Sequence, residues 1–359
     1  MRLWTVWVAA LLALLPWRPE QAQPAARNVL VITLDGLRWQ EFFTGADRDY
    51  FKKEKDGQPG AAEKRFWRPT GDERRAALMP FVWSTMAGKG QVLGDASKGS
   101  SVRLTNGLWF SYPGYNEMFS GAADSRIDSN DKVPNPNVTV LEWLNGRPGF
   151  QGRVAAFGSW DVLPFILNVG RSRLPVGSGF NPVPSPKTDH ERAINELAGD
   201  LPPYWDYGTF DAPIVYAAID SLRTTKPRVL YVMLGEGDEW AHEGRYDLYL
   251  DATSRGDRFI RRMWDTLQSL PDYAGKTTLI VTTDHGRGDT TTDWMDHGRK
   301  VPAAVSTWIA AIGPGVAPLG VRPSITATTS QIAATIAALV GEDFRAAVPR
   351  AAPALPFAK

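Results

Sequence analysis

Asn28-Val-Leu-Val-Ile-Thr-Leu-Asp-Gly36 is an unbroken run of apolar and β-branched residues that stops at an aspartate and a glycine. A run in which polar and apolar residues do not alternate is typical of a parallel strand buried on both faces. Two later stretches follow the same plan, Arg228-Val-Leu-Tyr-Val-Met-Leu-Gly235 and Thr278-Leu-Ile-Val-Thr-Thr-Asp284. We therefore predict that these three stretches are central strands of one sheet.

Helical patterns separate the predicted strands. Two further strands are predicted at 153–157 and 306–312, and helices are predicted at 113–119, 138–144, 212–222, 246–270 and 328–339. Strands that alternate with helices predict an α/β fold. We expect a layered sandwich in which a central, mostly parallel sheet is flanked by helices.

The composition is that of an ordinary globular protein. The chain has 359 residues, 43% of them hydrophobic and 22% charged, and its formal net charge is +1. This charge gives no global field that would attract nucleic acid, so no stable nucleic-acid complex is expected. The chain contains 0 cysteines, so any metal site must use histidine and carboxylate ligands instead of thiolates.

Residues 1–26 have the layout of a secretory signal peptide. Arg2 precedes an apolar run over 3–15, and a tail with small residues follows. The run is short for a membrane span, although an uncleaved anchor is the alternative interpretation. We expect cleavage between residues 22 and 26, export to the periplasm or the medium, and no integral membrane segment afterwards. Residues 27–359 would then form one domain.

Two stretches of this domain are predicted to be insertions. Residues 46–75 are rich in charge, and residues 174–207 are rich in proline and glycine. The simpler interpretation of both is solvated surface. The alternative is that one of them covers a functional site and determines which ligand enters it.

Three carboxylates stand at or just beyond the ends of the predicted central strands. Asp35 follows the first strand, Asp238 lies shortly after the second, and Asp284 follows the third. In open α/β sheets, ligands bind beyond the carboxyl ends of the strands. A single aspartate at such a position is often a helix cap or a turn residue. Three of them on separate strands predict a shared site.

Histidines cluster next to the same carboxylates. The chain has 4 histidines, and three of them lie near these strand ends: His242, His285 and His297. His242 follows Asp238 by four residues, so on a helical turn the two side chains face the same way. The fourth histidine, His190, lies in a polar helical stretch and is assigned to the surface.

Neutral imidazoles and carboxylates suit zinc, with manganese or iron as alternatives. The candidate ligands are more numerous than one tetrahedral ion needs. We therefore predict two divalent metal ions, placed so that they act on the attacking and leaving oxygens of one displacement reaction.

A candidate nucleophile lies in Leu108-Trp-Phe-Ser-Tyr-Pro113. Ser111 follows an apolar, strand-like approach and precedes a predicted helix near Pro113. The free N–H groups at a helix N-terminus favour an anion. A serine there could lose its proton to a bound metal and attack phosphorus while those amides hold the phosphoryl oxygens. From the local sequence alone, the simpler interpretation of Ser111 as a helix cap would prevail.

The order of these motifs resembles the alkaline phosphatase superfamily, and in particular its nucleotide pyrophosphatase/phosphodiesterase-like branch. The resemblance extends over nearly all of the predicted mature chain, at Val31-Ile-Thr-Leu-Asp-Gly-Leu37, Ser111-Tyr-Pro113, Asp238-Glu-Trp-Ala-His242, Thr283-Asp-His-Gly286, His297-Gly298, Trp308-Ile-Ala-Ala-Ile-Gly-Pro-Gly315 and 328–339. Each motif alone is weak, but their order and spacing together are specific.

The resemblance implies a metal-dependent phosphohydrolase, either a phosphodiesterase or a phosphomonoesterase, that cleaves a small phosphorylated substrate through a phosphoserine intermediate. One metal, which activates the serine, would be held by Asp35, Ser111, Asp284 and His285. The other, which carries water and stabilises the leaving group, would be held by Asp238, His242 and His297. Asn130 is the candidate for the family's phosphoryl-binding asparagine, and a turn residue is its alternative interpretation.

Departures from the family pattern leave the substrate open. Sulfatases have a Cys or Ser followed by x-Pro-x-Arg, whereas here Gly114 and Tyr115 follow Pro113, which argues against a sulfatase. A histidine that the phosphodiesterase branch often has after the proline is also missing. The alternatives are a phosphoglycerate mutase-like phosphotransferase and a metal-binding protein without catalysis.

Aromatic residues are frequent near the motifs. The simpler interpretation is that they fill the core, and the alternative is that a minority of them line a pocket and stack on a base or an aryl leaving group. They are Trp109, Phe110, Tyr112, Tyr115, Trp240 and Trp294.

Overall fold

The structure is a computed structural model that describes residues 25–53 and 57–358. The predicted signal peptide lies outside these residues except for its last two positions. Within the described residues, no helix is long and apolar enough to cross a membrane.

A central sheet organises the molecule. The described residues form the strands β1 (Asn28–Leu34), β2 (Gln91–Leu93), β3 (Ser101–Arg103), β4 (Val154–Gly158), β5 (Val176–Ser178), β6 (Val229–Leu234), β7 (Thr277–Thr282), β8 (Ser306–Thr307), β9 (Ile309–Ile312), β10 (Gly320–Val321) and β11 (Thr326–Thr328). The central sheet has 8 strands in the order β10-β2-β9-β7-β1-β6-β4-β5. Strand β1 pairs in parallel with β6 and β7, whereas β9 is antiparallel to its neighbours β2 and β7. The prediction of a mostly parallel central sheet is confirmed.

The prediction of one strand over 306–312 is wrong. Strand β8 belongs to a second, 3-stranded sheet in the order β11-β3-β8, while β9 belongs to the central sheet. Trp308 separates the two strands, and its buried indole donates a hydrogen bond to the Leu37 carbonyl at 3.0 Å. The apolar run is therefore continuous in sequence but shared between two sheets.

Helices cover both faces of the central sheet. They are α1 (Trp39–Thr44), α2 (Ala61–Phe66), α3 (Gly71–Leu78), α4 (Ala87–Lys89), α5 (Ser111–Ser120), α6 (Val140–Asn145), α7 (Leu163–Ile166), α8 (Val169–Ser172), α9 (Asp189–Asp200), α10 (Asp211–Thr224), α11 (Glu236–His242), α12 (Tyr246–Ser269), α13 (Gln331–Leu339) and α14 (Phe344–Ala347). The predicted helices correspond to α5, α6, α10, α12 and α13. Helix α13 begins three residues later than predicted because 326–328 pairs with β3 as strand β11.

Strand β1 shows why the fold has three layers. Side chains alternate between the two faces of a strand. Leu30 and Ile32 enter the apolar cluster that also contains residues of α10 and α12, whereas Val29 and Val31 enter the cluster formed with α5 and α13. Because every residue of β1 is buried, the strand has a continuous apolar sequence instead of an alternating one.

Both predicted insertions contain ordered elements. Residues 46–75 include α2 and the start of α3, and residues 174–207 include β5 and α9. Thr188 forms a capping box with Glu191 at the start of α9, which satisfies amides that would otherwise lack partners. His190 on this helix has a side chain that is 59% exposed, in agreement with its assignment to the surface.

Candidate active site

The carboxyl ends of neighbouring strands bring the predicted ligands together. Leu34 of β1 pairs with Leu234 of β6, and Thr33 pairs with Thr282 of β7. The segments that follow these strands therefore leave the sheet at the same level. The structure places the predicted carboxylates and histidines there as two groups, each with ligand atoms within 4.8 Å of one another.

The first group, here called the buried group, consists of Asp35, Asp284 and His285. The Nε2 atom of His285 lies 3.4 Å from Asp35 Oδ1 and 3.5 Å from Asp284 Oδ2. Both of these carboxylate oxygens are shielded from solvent and lack a hydrogen-bond partner among the described residues. Three ligand atoms therefore lie within 4.8 Å of one another, close enough to bind a single metal ion.

The electrostatics of the buried group fit a bound cation. Burial raises the pKa of Asp35, with a further rise from Asp238, and burial also raises the pKa of Asp284, with a further rise from Asp35. Burial would lower the pKa of His285, but the surrounding carboxylates, Asp284 first, raise it to about 9. Buried carboxylates without donors are costly, and a divalent cation would offset that cost.

Hydrogen bonds orient these ligands from behind. The Nδ1 atom of His285 lies 2.8 Å from the Gly286 carbonyl, which fixes the ring and leaves Nε2 available. The Tyr115 hydroxyl donates to Asp35 Oδ2 at 2.8 Å, and the Gly36 amide donates to Asp284 Oδ1 at 3.1 Å. Such outer contacts are typical of metal ligands.

The second group, here called the outer group, consists of Asp238, His242 and His297. Asp238 and His242 lie on α11, one turn apart as predicted, with Asp238 Oδ2 and His242 Nε2 separated by 3.2 Å. The Nε2 atoms of His242 and His297 lie 3.0 Å apart. The two groups are adjacent, since His285 Nε2 is 3.8 Å from Asp238 Oδ1.

A buried arginine distinguishes the outer group. The guanidinium of Arg287 pairs with Asp238 Oδ1 and donates a hydrogen bond to the Asp238 carbonyl at 3.0 Å. Burial would raise the pKa of Asp238, but Arg287 and the nearby histidines hold it well below its usual range. Arg287 was not among the predicted site residues, although it directly follows the Asp-His-Gly motif.

Ser111 is the first residue of α5, and its Oγ lies 3.2 Å from Nε2 of His285 in the buried group. The approach to it is not the predicted strand. Trp109 has a positive φ of 55°, and the Asn106 side chain accepts the amides of Leu108 and Trp109. A tight turn therefore delivers Ser111 to the helix start.

Gly114 lets α5 approach the ligands closely. A Cβ atom at this position would lie 2.5 Å from the carbonyl oxygen of Asp284. A side chain at position 114 would therefore push α5 away from the buried group.

Asn130 lies beside the helix start, and its Oδ1 accepts the Tyr112 amide at 3.0 Å. This contact leaves the Asn130 Nδ2 group as a donor. We expected the amides at the start of the helix to hold the phosphoryl oxygens. The Tyr112 amide, however, already donates to Asn130, and Pro113 has no amide hydrogen. The first turn of α5 therefore offers a phosphoryl group fewer amides than predicted.

A cavity of about 610 Å³ opens onto this arrangement. Six of the predicted residues line it, while Asp284 and His285 lie buried behind them: Asp35, Ser111, Asn130, Asp238, His242 and His297. The remaining lining residues were missed by the sequence analysis: Asp131, Lys132, Trp160, Asp161, Val162, Tyr207, Gly235 and Glu239.

The alternative interpretation, in which a minority of the six aromatic residues near the motifs line a pocket, does not apply to this cavity, because none of them lines it. The cavity takes its aromatic side chains from Trp160 and Tyr207 instead. Trp160 follows the end of β4, so the strand-end rule applied to 153–157 could have found it. Tyr207 ends the stretch 174–207, for which a position over a functional site was the alternative interpretation.

Known proteins share this fold at low sequence identity. The sequence matches no known family model and no curated protein. Wild-type alkaline phosphatase PafA aligns with a TM-score of 0.59 and 11% identity over 90% of this chain and 96% of its own. A protein in the alkaline phosphatase superfamily from Vibrio parahaemolyticus aligns with a TM-score of 0.53, 13% identity and coverages of 90% and 68%. The 2-O GAG sulfatase BT1596 aligns with a TM-score of 0.53 and 14% identity over 92% of this chain and 73% of its own. These similarities show an alkaline phosphatase-like fold.

Proposed function

We propose that this chain is an exported, metal-dependent phosphohydrolase of the alkaline phosphatase superfamily that uses Ser111 as its nucleophile. The observation that supports this proposal most strongly is the position of Ser111 Oγ, 3.2 Å from His285 of the buried group and on the wall of the cavity. A hydroxyl at a helix N-terminus, next to convergent ligands without protein donors, is suited to attack on phosphorus.

The two ligand groups would hold two divalent cations, with zinc as the proposed metal and manganese or iron as alternatives. Bound there, such cations supply Lewis-acid stabilisation and lower the pKa of a hydroxyl or a water. Metal analysis of the purified protein tests this proposal, with two equivalents per chain as the expected result.

The protein's own residues divide the remaining work. Ser111 Oγ forms a bond to phosphorus as the ester bond to the leaving alcohol breaks, and water then hydrolyses the phosphoserine. Asn130 would donate from Nδ2 to a phosphoryl oxygen, since its Oδ1 is held by the Tyr112 amide. The hydroxyl of Tyr115 holds Asp35 in the orientation that the buried group needs.

A phosphodiester is the proposed substrate rather than a phosphomonoester. The phosphate of a diester carries one negative charge, whereas a monoester dianion carries two. Among the described residues that line the cavity, Lys132 is the one lysine or arginine, and it is paired with Asp161 at 2.6 Å. The cavity therefore offers no unpaired cationic side chain for the second charge of a monoester.

The test compares bis-p-nitrophenyl phosphate, p-nitrophenyl phosphate and p-nitrophenyl sulfate as substrates. We expect turnover of the diester above all, and Ser111→Ala should abolish it while metal content stays intact. Ser120→Ala on the same helix is the matched control, because Ser120 is also buried but contacts the Ala122 carbonyl. Metal binding without turnover of any ester would favour a binding protein, and phosphoryl transfer between two positions of a sugar phosphate would favour a mutase.

Export is proposed from residues 1–26, which have the layout of a signal peptide. N-terminal sequencing of the mature protein from the periplasm or the medium tests it, with a first residue between positions 23 and 27 as the expected result. Recovery of the intact N-terminus from the membrane fraction would favour an anchor instead.

A further inference from the structure

A row of cationic side chains lies at the edge of the central sheet opposite the candidate active site. The adjacent strands β7, β1, β6 and β4 are parallel, so their amino ends share one edge, and the metal-ligand candidates lie at the other. A cationic residue directly precedes each of these strands. In the order of the strands, these residues, here called the basal row, are Lys276, Arg27, Arg228 and Arg153. Because neighbouring strands lie about 4.8 Å apart, the four residues stand side by side.

The contacts of the basal row are with neutral groups. The guanidinium of Arg228 donates to the carbonyls of Arg27 and Gly149 at 3.2 and 3.3 Å, and Arg153 donates to the Lys226 carbonyl at 2.6 Å. None of the four residues forms an ion pair with another residue that the structure describes. Their charges are therefore not balanced within the described chain.

Two carboxylates approach the basal row, but each is paired with a different cation. Asp272 binds the Lys226 ammonium at 2.8 Å, and Glu342 binds the guanidinium of Arg147 at 3.0 Å. The two additional pairs surround the row without adding net negative charge. This end of the molecule is therefore strongly basic, although the formal net charge of the whole chain is only +1.

Repulsion within the row acts on Arg228, which lies in its middle. Burial lowers the pKa of Arg228, and the charges of Arg153 and Arg27 lower it as well, against an opposing effect of Glu342. Like charges on neighbouring strands destabilise a sheet. The basal row therefore costs the folded protein stability, and an anion bound against it would offset that cost.

The N-terminal segment joins the described chain beside this row. Residues 1–24, with the apolar run over 3–15, directly precede the described chain, and Arg27 is exposed. During the proposed export, the apolar run would enter the bilayer, and the basal row would be the part of the folded chain nearest to it. Cleavage between residues 22 and 26 would then leave a positively charged α-amino group close to Arg27.

We propose that the basal row docks the mature protein on the surface of an anionic phospholipid bilayer. Lysine and arginine side chains near such a surface are attracted by the headgroup phosphates. A row spread along one edge of the sheet suits an extended charged surface, and the N-terminal segment brings this edge to the membrane. The docking is peripheral and requires no segment that spans the bilayer.

Docking in this orientation leaves the candidate active site open to solvent. Strand β1 has 7 residues and separates the basal row from Asp35 by about 20 Å. The cavity at the carboxyl ends of the strands would therefore face away from the bilayer. This inference goes beyond the proposed function, because it concerns where the protein lies and not which bond it cleaves.

The test measures co-sedimentation of the mature, metal-loaded protein with phosphatidylcholine vesicles, prepared with and without phosphatidylglycerol. We expect binding only to the vesicles that contain phosphatidylglycerol, and release at about 1 M salt, where the screening length is about 3 Å. The double variant Arg27→Gln, Arg153→Gln should lower the partition coefficient by about 25-fold, or about 5-fold for each charge removed. Both side chains are exposed, so the fold should persist, and kcat/KM for bis-p-nitrophenyl phosphate should stay unchanged.

The matched control is the double variant Arg258→Gln, Arg262→Gln on α12. Both arginines are exposed, and their guanidinium groups contact Ser254 and the Tyr216 hydroxyl instead of a carboxylate. This variant loses the same charge, yet its partition coefficient should equal that of the wild type.

Three outcomes would overturn the inference. An equal loss of binding in the control variant would show a general effect of net charge. Equal binding to vesicles without phosphatidylglycerol would show an apolar contact. Failure of the wild type to bind any vesicle would exclude the bilayer, and retention on immobilised heparin in that case would identify a soluble polyanion as the partner instead.

Discussion

The buried group and the outer group are built from the same kinds of ligand, yet their charges are balanced in different ways. Asp35 Oδ1 and Asp284 Oδ2 form no hydrogen bond with the described residues and lie 3.4 and 3.5 Å from the imidazole of His285. Asp238 is held by the guanidinium of Arg287 and lies beside two imidazoles. The difference leads us to expect that the buried group depends more strongly on a bound cation to balance its carboxylates than the outer group does. The outer group is already balanced by protein atoms.

Their positions in the fold explain the difference. The buried group stands directly on the ends of β1 and β7, inside the core, where His285 is 0% exposed. The outer group stands on α11 and a loop, and the side chain of His242 is 41% exposed. The buried group therefore adjoins Ser111, and the outer group lies nearer to solvent on the cavity wall.

The largest expected effect is on activity, where substitutions in the buried group should lower kcat/KM more than substitutions in the outer group. Asp35→Asn should lower kcat/KM for the diester by about 10³-fold or more, since it removes several kcal/mol of stabilisation next to Ser111. His242→Ala should lower it less, by about 10–100-fold, because Asp238 and His297 remain. Steady-state kinetics with metal analysis of each variant checks this order. A mild effect of Asp35→Asn would show that Asp35 only forms a turn, and the expected difference in activity between the two groups would be absent.

The elements that carry these ligands could be predicted because their signals are local. An unbroken apolar run ending at Asp35 predicts a buried strand, and the spacing of Asp238 and His242 predicts one helical turn. The role of Arg287 could not be predicted in this way, because its partner Asp238 lies 49 residues away in the sequence. The turn at Trp109 was missed because its cause is a side-chain contact from Asn106, whereas apolar composition alone suggested a strand.

Removal of metal should act mainly through the buried group. Exhaustive chelation removes the proposed cation from the buried Asp35 and Asp284 carboxylates, so we expect it to lower the free energy of unfolding by about 4 kcal/mol. Differential scanning calorimetry with and without chelator measures this loss.

Partial chelation should remove the two metal equivalents in order. The first equivalent should leave from the outer group, which solvent reaches, and His242→Ala should eliminate this first step of metal release. Simultaneous loss of both equivalents would show that the groups act as one site.

Asparagine substitutions in the metal-free protein should have opposite signs in the two groups. Asp284→Asn removes a buried charge but keeps an oxygen for the Gly36 amide, so it should stabilise the metal-free form by about 1–2 kcal/mol. Asp238→Asn leaves the Arg287 guanidinium buried without its partner and should destabilise that form by about 3 kcal/mol. Urea unfolding measures both values, with Asp265→Asn on the surface of α12 as the control. If both variants are destabilised, the buried carboxylates are balanced by something other than a metal.

Asp257 on α12 supplies the reference for both groups, because both of its oxygens accept hydrogen bonds from neutral backbone amides. Arg258 and Arg261 nearby also favour its charged form. The two oxygens of Asp257 accept the amides of Phe81 and Val82 at 2.9 Å each, and burial raises its pKa to about 6. The unfolded chain has a pKa of about 3.9, so the folded protein holds this proton more tightly. The contribution of protonated Asp257 to the free energy of unfolding is fully present below about pH 4 and is lost as the pH rises through about 6.

Urea unfolding of the metal-free protein measures this loss. The free energy of unfolding of the wild type, relative to that of Asp257→Asn, should fall by about 1–3 kcal/mol between pH 4 and pH 7. If the free energy of unfolding of the wild type instead rose with pH relative to that of Asp257→Asn, two amides would be enough to stabilise a buried carboxylate fully. The unpartnered oxygens of Asp35 and Asp284 would then be distinguished by their missing donors rather than by their burial.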